Sequence, residues 1–149
     1  VQPVTSSIIL IGAFFGKRYV FSFACLVTLI SNFYLGHGSW TFFQILAWSF
    51  VGCMGSLFST FILDKNNQPK LFPFSLVSVL SSIPFTLIVS LSAIKYGTLQ
   101  YVNYLENGLL FDIYHSFSNL FFSVLIVFTI RMINLLPSHY RITKKFVHY

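Results

Sequence analysis

The sequence predicts an all-α membrane protein forming one integral domain, 1–149. Three observations lead there. Hydrophobic residues make up 56% of the chain and charged residues only 8%, whereas a soluble domain carries about 25% charge. The apolar residues gather in five runs separated by turn-like breaks, and nearly all the positive charge falls at alternate breaks. With so little polar surface, the outside of the fold must be solvated by lipid. The length leaves no room for a separate soluble catalytic domain.

The segments are read in order. The first, about 4–15, is short against the roughly 20 helical residues that cross a hydrocarbon core. It closes on "GKR" at Gly16 to Arg18. The second, about 19–35, runs into the elbow "GHGSW", whose glycines permit a tight turn and close backbone approach. The third, about 40–63, ends at the polar turn "DKNNQPK", Asp64 to Lys70. The fourth covers about 71–94. A long polar stretch from Lys95 to Gly108 is expected to be an outer loop before the fifth segment, about 109–136. The chain closes on a basic, aromatic tail, 137–149.

Charge sets the expected orientation. Lys17, Arg18, Lys65, Lys70, Arg131, Arg141, Lys144 and Lys145 fall on one side if all segments cross, and Lys95 alone falls on the other. The positive-inside rule makes the basic side, with the C-terminus, cytoplasmic in a multi-pass plasma-membrane protein. Five spans would then leave Val1 outside. The expectation is therefore a six-helix bundle whose first helix lies upstream of Val1, with an ordinary five-span protein beginning near Val1 as the alternative. The basic residues are scattered among helix ends, where they anchor topology and meet anionic lipid, so nucleic acid is not an expected partner.

Polar side chains inside a bilayer are costly and tend to face a cavity, a partner or another helix. Asp112, His115 and Asn119 recur at i, i+3 and i+7, which places them on one helix face. Such a stripe either lines an outward cavity or fixes helix packing. Trp40, Gln44 and Trp48, at i, i+4 and i+8, form a second stripe. Asn32 and His37 are expected at the same depth as Asp112 and His115, so that the polar residues converge near the external side. Tyr101, Asn103 and Tyr104 in the outer loop would form a lid. Gly52, Cys53, Gly55, Ser56 and Ser59 make a small-residue surface, as do Gly12, Ala13 and Gly16. These surfaces suit either internal helix packing or docking of a second membrane subunit.

Several chemistries find no motif. There is no phosphate-binding GxxxxGK[ST] loop, no HExxH and no GxSxG. Cys25 and Cys53 lie in apolar runs without zinc spacing and read as hydrophobic fillers. Asp112 and His115 lack an evident third ligand, and His139 and His148 fall in the tail, so neither a metal nor a cofactor is expected.

The run from Val1 to Phe58 resembles the substrate-binding S components of energy-coupling factor (ECF) transporters. The matching positions are Gly16, Lys17, Ser31, Asn32, Leu35, Gly36, Gly38, Trp40, Thr41, Gln44, Ala47, Trp48, Gly52 and Gly55. "FDIYHSFSNLFFSVLI" resembles the family's final helix with its "FD--H---N" pattern. The chain departs at Ser39, where proline is expected, and at Phe43, where a second proline–tryptophan pair often sits. The resemblance implies a six-helix binding subunit that captures a vitamin or related micronutrient from outside and topples within the membrane. A transmembrane T component and two cytoplasmic ATPase subunits would supply the coupling. It favours cobalamin, with thiamine-related, queuosine-related or pantothenate-like ligands as alternatives. Asn32, His37, Trp40, Gln44, Trp48, Asp112, His115 and Asn119 would contact ligand without covalent chemistry. Gly12, Gly16, Gly52, Gly55 and Ser59 would serve docking. Two rival readings remain: an intramembrane enzyme using Asp112 and His115, and a structural subunit with no ligand.

Overall fold

The computed structural model describes residues 3–135; the tail 137–149, with His139, Arg141, Lys144, Lys145 and His148, lies outside the described residues. The described residues are nearly all helical, without a strand beyond a single Leu63–Pro69 bridge. Helix α1 covers Val4–Phe15, α2 Lys17–Leu35, α3 Trp40–Leu57 and α4 Ser59–Ile62. Then come α5 Leu71–Leu80, α6 Ser82–Ser90, a 3-10 turn Leu91–Tyr96 and α7 Thr98–Leu135. Four stretches are long and apolar enough to cross a membrane: Lys17–Leu35, Trp40–Leu57, Leu71–Tyr96 and Thr98–Asn134.

Burial is distributed as lipid solvation requires. Phe33 is 78% exposed and Phe117 67%, whereas Ser78, Ser90, Asn119 and Ser123 are fully buried. Water would drive the opposite arrangement. In hydrocarbon the hydroxyls and amides must instead find partners inside the bundle.

One expected boundary is corrected. Residues 98–108, read as an outer loop, form the first three turns of α7. Gly97, at φ 114°, reverses the chain alone, a conformation only glycine adopts freely. Tyr101, Asn103 and Tyr104 therefore sit on a helix and do not form a loop lid. At 38 residues, α7 is about 57 Å long, well beyond a hydrocarbon core of about 30 Å.

The α5–α6 stretch packs antiparallel along α7 in a fixed register. Thr86 meets Asp112, Ser82 meets Ser116, Asn119 meets Ser78 and Ser123 meets Ser75. Farther along, the Asn134 side chain donates to Gln68 Oε1. The loop between α4 and α5 is closed on itself: the Asn66 and Gln68 amides donate to Asp64 Oδ1, both at 2.8 Å. This loop, the α1–α2 junction and the α7 end bring Lys17, Arg18, Lys65, Lys70 and Arg131 to one end of the bundle. The "GHGS" elbow and Gly97 lie at the other end, with Lys95.

Helix α1 has 12 residues, about 18 Å, and runs alongside α3 in the same direction. Ile8 lies against Gly52 and Ile9 against Gly55, and Gly12 sits between Gly52 and Ser56, which brings Thr5 level with the middle of α3. Its closeness rests on glycines. A Cβ on Gly12 would collide with the Gly52 carbonyl, and one on Gly55 with the backbone of Ile9. Gly12, Gly52 and Gly55 are thus buried in an internal helix–helix contact and present no face to a second subunit, a correction to the docking role expected of them. Gly16 and Ser59 remain partly accessible at the basic end.

Gly55→Ala is expected to lower stability by about 1–3 kcal/mol, the usual range for overpacking. Gly108→Ala, whose Cβ would meet only the Thr86 methyl at 3.9 Å, should be neutral or stabilising by up to about 1 kcal/mol. Thermal unfolding in detergent, followed by circular dichroism, checks the pair. Equal melting temperatures would contradict the packing described.

Candidate functional site

The elbow after α2 explains its glycines and positions the first polar group. Gly36 ends the helix at φ 96°. Gly38 has no side chain because the Trp40 indole lies against it. Thr41 Oγ1 then accepts the Gly38 amide at 3.2 Å and the Asn32 Nδ2 at 3.0 Å. Asn32 Nδ2 also donates to Gln44 Oε1 at 2.9 Å. Asn32 is 3% exposed, so its amide locks α2 to α3 one turn inside the elbow. His37 is exposed and Trp40 is 42% exposed at the rim.

The second group lies deeper. Trp48 stands eight residues into α3, about 12 Å along a helix of about 27 Å, hence near mid-depth. Its indole packs on Phe85 of α6 with ring centroids 5.5 Å apart. Phe85 in turn meets the His115 ring of α7 edge-on at 5.0 Å, a geometry aromatic pairs favour. His115 Nε2 is hydrogen-bonded to Thr5 Oγ1 of α1 at 3.0 Å. One turn on, Asn119 Nδ2 donates to the Ser78 backbone carbonyl, and the Asn119 backbone carbonyl accepts from Ser6 Oγ at 3.0 Å. Four helices thus meet around Phe85.

The expectation that Asn32, His37, Asp112 and His115 share one depth is corrected. Asn32 and Gln44 lie beside the elbow, whereas His115 is level with Trp48 at the middle of α3. The shift follows from α7: it begins eleven residues before the expected start of the fifth segment, at Thr98, and this carries Asp112 and His115 farther from the chain reversal. The two stripes are joined nonetheless, because Trp48 and His115 both pack on Phe85 and Gln44 stands one turn from Trp48 on α3.

Polar satisfaction in the deep group is incomplete. Trp48 Nε1, His115 Nδ1 and Asn119 Oδ1 are buried without a hydrogen-bond partner, as are Ser49 Oγ and Ser78 Oγ. An unmade hydrogen bond of this kind costs about 1–3 kcal/mol, so each such atom calls for a water, an ion or another polar partner. Together Trp48, His115 and Asn119 offer an indole donor, an imidazole nitrogen and an amide acceptor beside an aromatic face. This set can bind a ligand by stacking and hydrogen bonding. No group of three His, Cys, Asp or Glu side chains among the described residues can hold a metal.

Asp112 faces elsewhere. Its Oδ1 accepts from Thr86 Oγ1, and it lines a groove of about 790 Å³ between α6 and α7. His115, Trp48, Asn32 and Gln44 do not line that groove.

Comparison with known protein families, with curated proteins and with solved structures gave no match.

Thr5, Phe85 and Thr86 belong to these groups but are not among the residues singled out from sequence, and Thr41 figured there only as a position of the ECF-like stretch. A signal was present for Thr86. Ser75, Ser78, Ser82 and Thr86 recur every three or four residues, as do Asp112, Ser116, Asn119 and Ser123. Two such polar stripes facing one another are what a buried antiparallel seam needs. Phe85 carried no signal among the chain's 19 phenylalanines.

Asn119→Ala is expected to destabilise the bundle by roughly 0.6–2 kcal/mol, the range for interhelical hydrogen bonds in membranes. Asn103→Ala, at an exposed position on α7, should stay within about 0.5 kcal/mol of wild type. Unfolding titrations with sodium dodecyl sulfate compare them. Indistinguishable midpoints would mean that the seam contributes nothing.

Proposed function

We propose that this chain is the membrane-embedded, substrate-binding subunit of an ECF-type uptake transporter. It captures a vitamin-like micronutrient from the external side and has no catalytic step of its own. The T component and two ATPase subunits act as separate partners, and the basic end, with the C-terminus, faces the cytoplasm. The carrying observation is the trio of unpartnered buried atoms on Trp48, His115 and Asn119, the first two side chains packed on Phe85 and the third one turn farther along α7. An apolar site with a few placed polar groups is the usual make-up of a small-molecule pocket. The residues of the ECF-like stretch add support, since Asn32, Thr41, Gln44 and Trp48 all lie on the path from the elbow to this trio. The resemblance favours cobalamin over a thiamine-related, queuosine-related or pantothenate-like ligand. Release would follow from unequal affinity in outward- and inward-facing states.

Affinity purification from the native membrane, followed by mass spectrometry of released small molecules, tests the reading. The expected result is co-purification with a second membrane subunit and two ATPases, and a bound micronutrient. Trp48→Phe, which keeps the ring and removes the donor, should weaken binding of that ligand by about 1–2 kcal/mol, or roughly five- to thirty-fold. Gln44→Ala should also weaken it. Purification without ATPases or small molecule would defeat the proposal, and turnover abolished by His115→Ala would favour an enzyme instead.

A further inference from the structure

Asp112 is a half-buried acidic side chain in an apolar helix pair, and among the described residues it is bonded only to a neutral hydroxyl, Thr86. The groove it lines lies on the outward side of α6 and α7. Ile83, Leu109 and Phe117 on its walls are 59%, 62% and 67% exposed. Surfaces of this kind face lipid. The remaining polar lining is Ser82, Thr86 and Ser116, and no basic residue contributes. Ser82 and Ser116 bond to each other at 2.7 Å, so they close the floor and leave the carboxyl group as the one charged feature.

A carboxylate at such a site is costly unless a cation faces it. Among the described residues none does: Lys95 lies over the Tyr96 ring at the elbow end, Arg131 stands nineteen residues along α7, about 28 Å away, and Lys17, Arg18, Lys65 and Lys70 gather at the same end as Arg131. The dimensions restrict what supplies the charge. The groove extends from Val79 to Leu87 along α5–α6, about 12 Å, and from Leu105 to Leu120 along α7, about 22 Å. Its volume of about 790 Å³ falls in the range of small-molecule pockets, about 300–1,000 Å³. A crossing helix would need contact along some 30 Å.

We propose that the groove between α6 and α7 binds an amphiphilic organic ammonium ion that enters from the lipid, with its apolar body on the groove walls and its charge on Asp112. The inference goes beyond the transporter reading and stands independently of it, because it concerns a different cavity and requires no ATPase.

The test uses the full chain in phosphatidylcholine nanodiscs, with protonated phenylbutylamine as probe and the neutral phenylbutanol as its counterpart. Calorimetric titration, corrected for empty discs, should show saturable binding of the amine. Asp112→Asn should weaken amine binding at least about tenfold, as expected for loss of a charge-assisted contact, and leave the alcohol unchanged. Glu106→Gln, exposed on α7, should change neither. Ile83→Trp keeps the carboxylate but fills the groove, and should abolish binding, which guards against a folding defect in the Asn variant. Equal affinity for amine and alcohol, or undiminished amine binding in either groove variant, would overturn the proposal. So would loss of a co-purifying membrane protein from Asp112→Asn with amine binding unchanged, which would assign the carboxylate to a partner helix. Co-purification of ATPases without amine binding would defeat this inference while leaving the transporter reading intact.

Discussion

Lipid outside the bundle leaves its hydroxyls and amides only one another to bond with, and that constraint organises the fold. Hydrocarbon gives no energetic reason for leucine to leave the surface, so the large apolar residues stay outside. Association then depends on close packing and on polar contacts between helices. The seam between α5–α6 and α7 shows both. Its contacts, Thr86–Asp112, Ser82–Ser116, Ser78–Asn119 and Ser75–Ser123, recur at helical spacing and fix the register of two otherwise featureless apolar helices. A slip of one turn would separate every pair at once.

Helix α1 depends on the same rule in its other form. It is too short to span the membrane, and its glycine contact with α3 has no room for a side chain on either helix. That contact fixes where α1 begins. Thr5 therefore arrives beside His115 and Ser6 beside Asn119, bringing hydroxyls to the face of α7 that also carries the polar seam. Close backbone packing at the basic end thus sets the geometry of the polar group at mid-depth.

Helix α3 connects the parts. Its first turn is tied to α2 through Thr41, Gln44 and Asn32, its middle presents Trp48 to Phe85, and its second half holds α1. From Trp48 the aromatic contact continues through Phe85 to His115 of α7, so α3 links the elbow group, the mid-depth group and the α1 packing face in one connected set of contacts.

The sequence by itself determined the class of the protein, the positions of its apolar helices and the end of the bundle where cations gather. Those follow from composition and local pattern: an apolar run longer than ten residues and a glycine or proline break carry the same meaning in any fold. It also marked Asn32, Gln44, Trp48, His115 and Asn119 as polar residues in apolar surroundings, and each is partly or wholly buried among the helices. It misjudged residues 98–108, because their polar character resembles a loop while a single glycine had already made the turn. Only the tertiary structure decided which polar residues meet. It separated Asp112 from His115 although three residues part them: on a helix that spacing shares a face, but α6 and α1 approach that face from different sides and divide it. It also selected Phe85 from among many phenylalanines. Partner choice is set by helix register and crossing, which depend on contacts distant in the chain, and no local pattern encodes them.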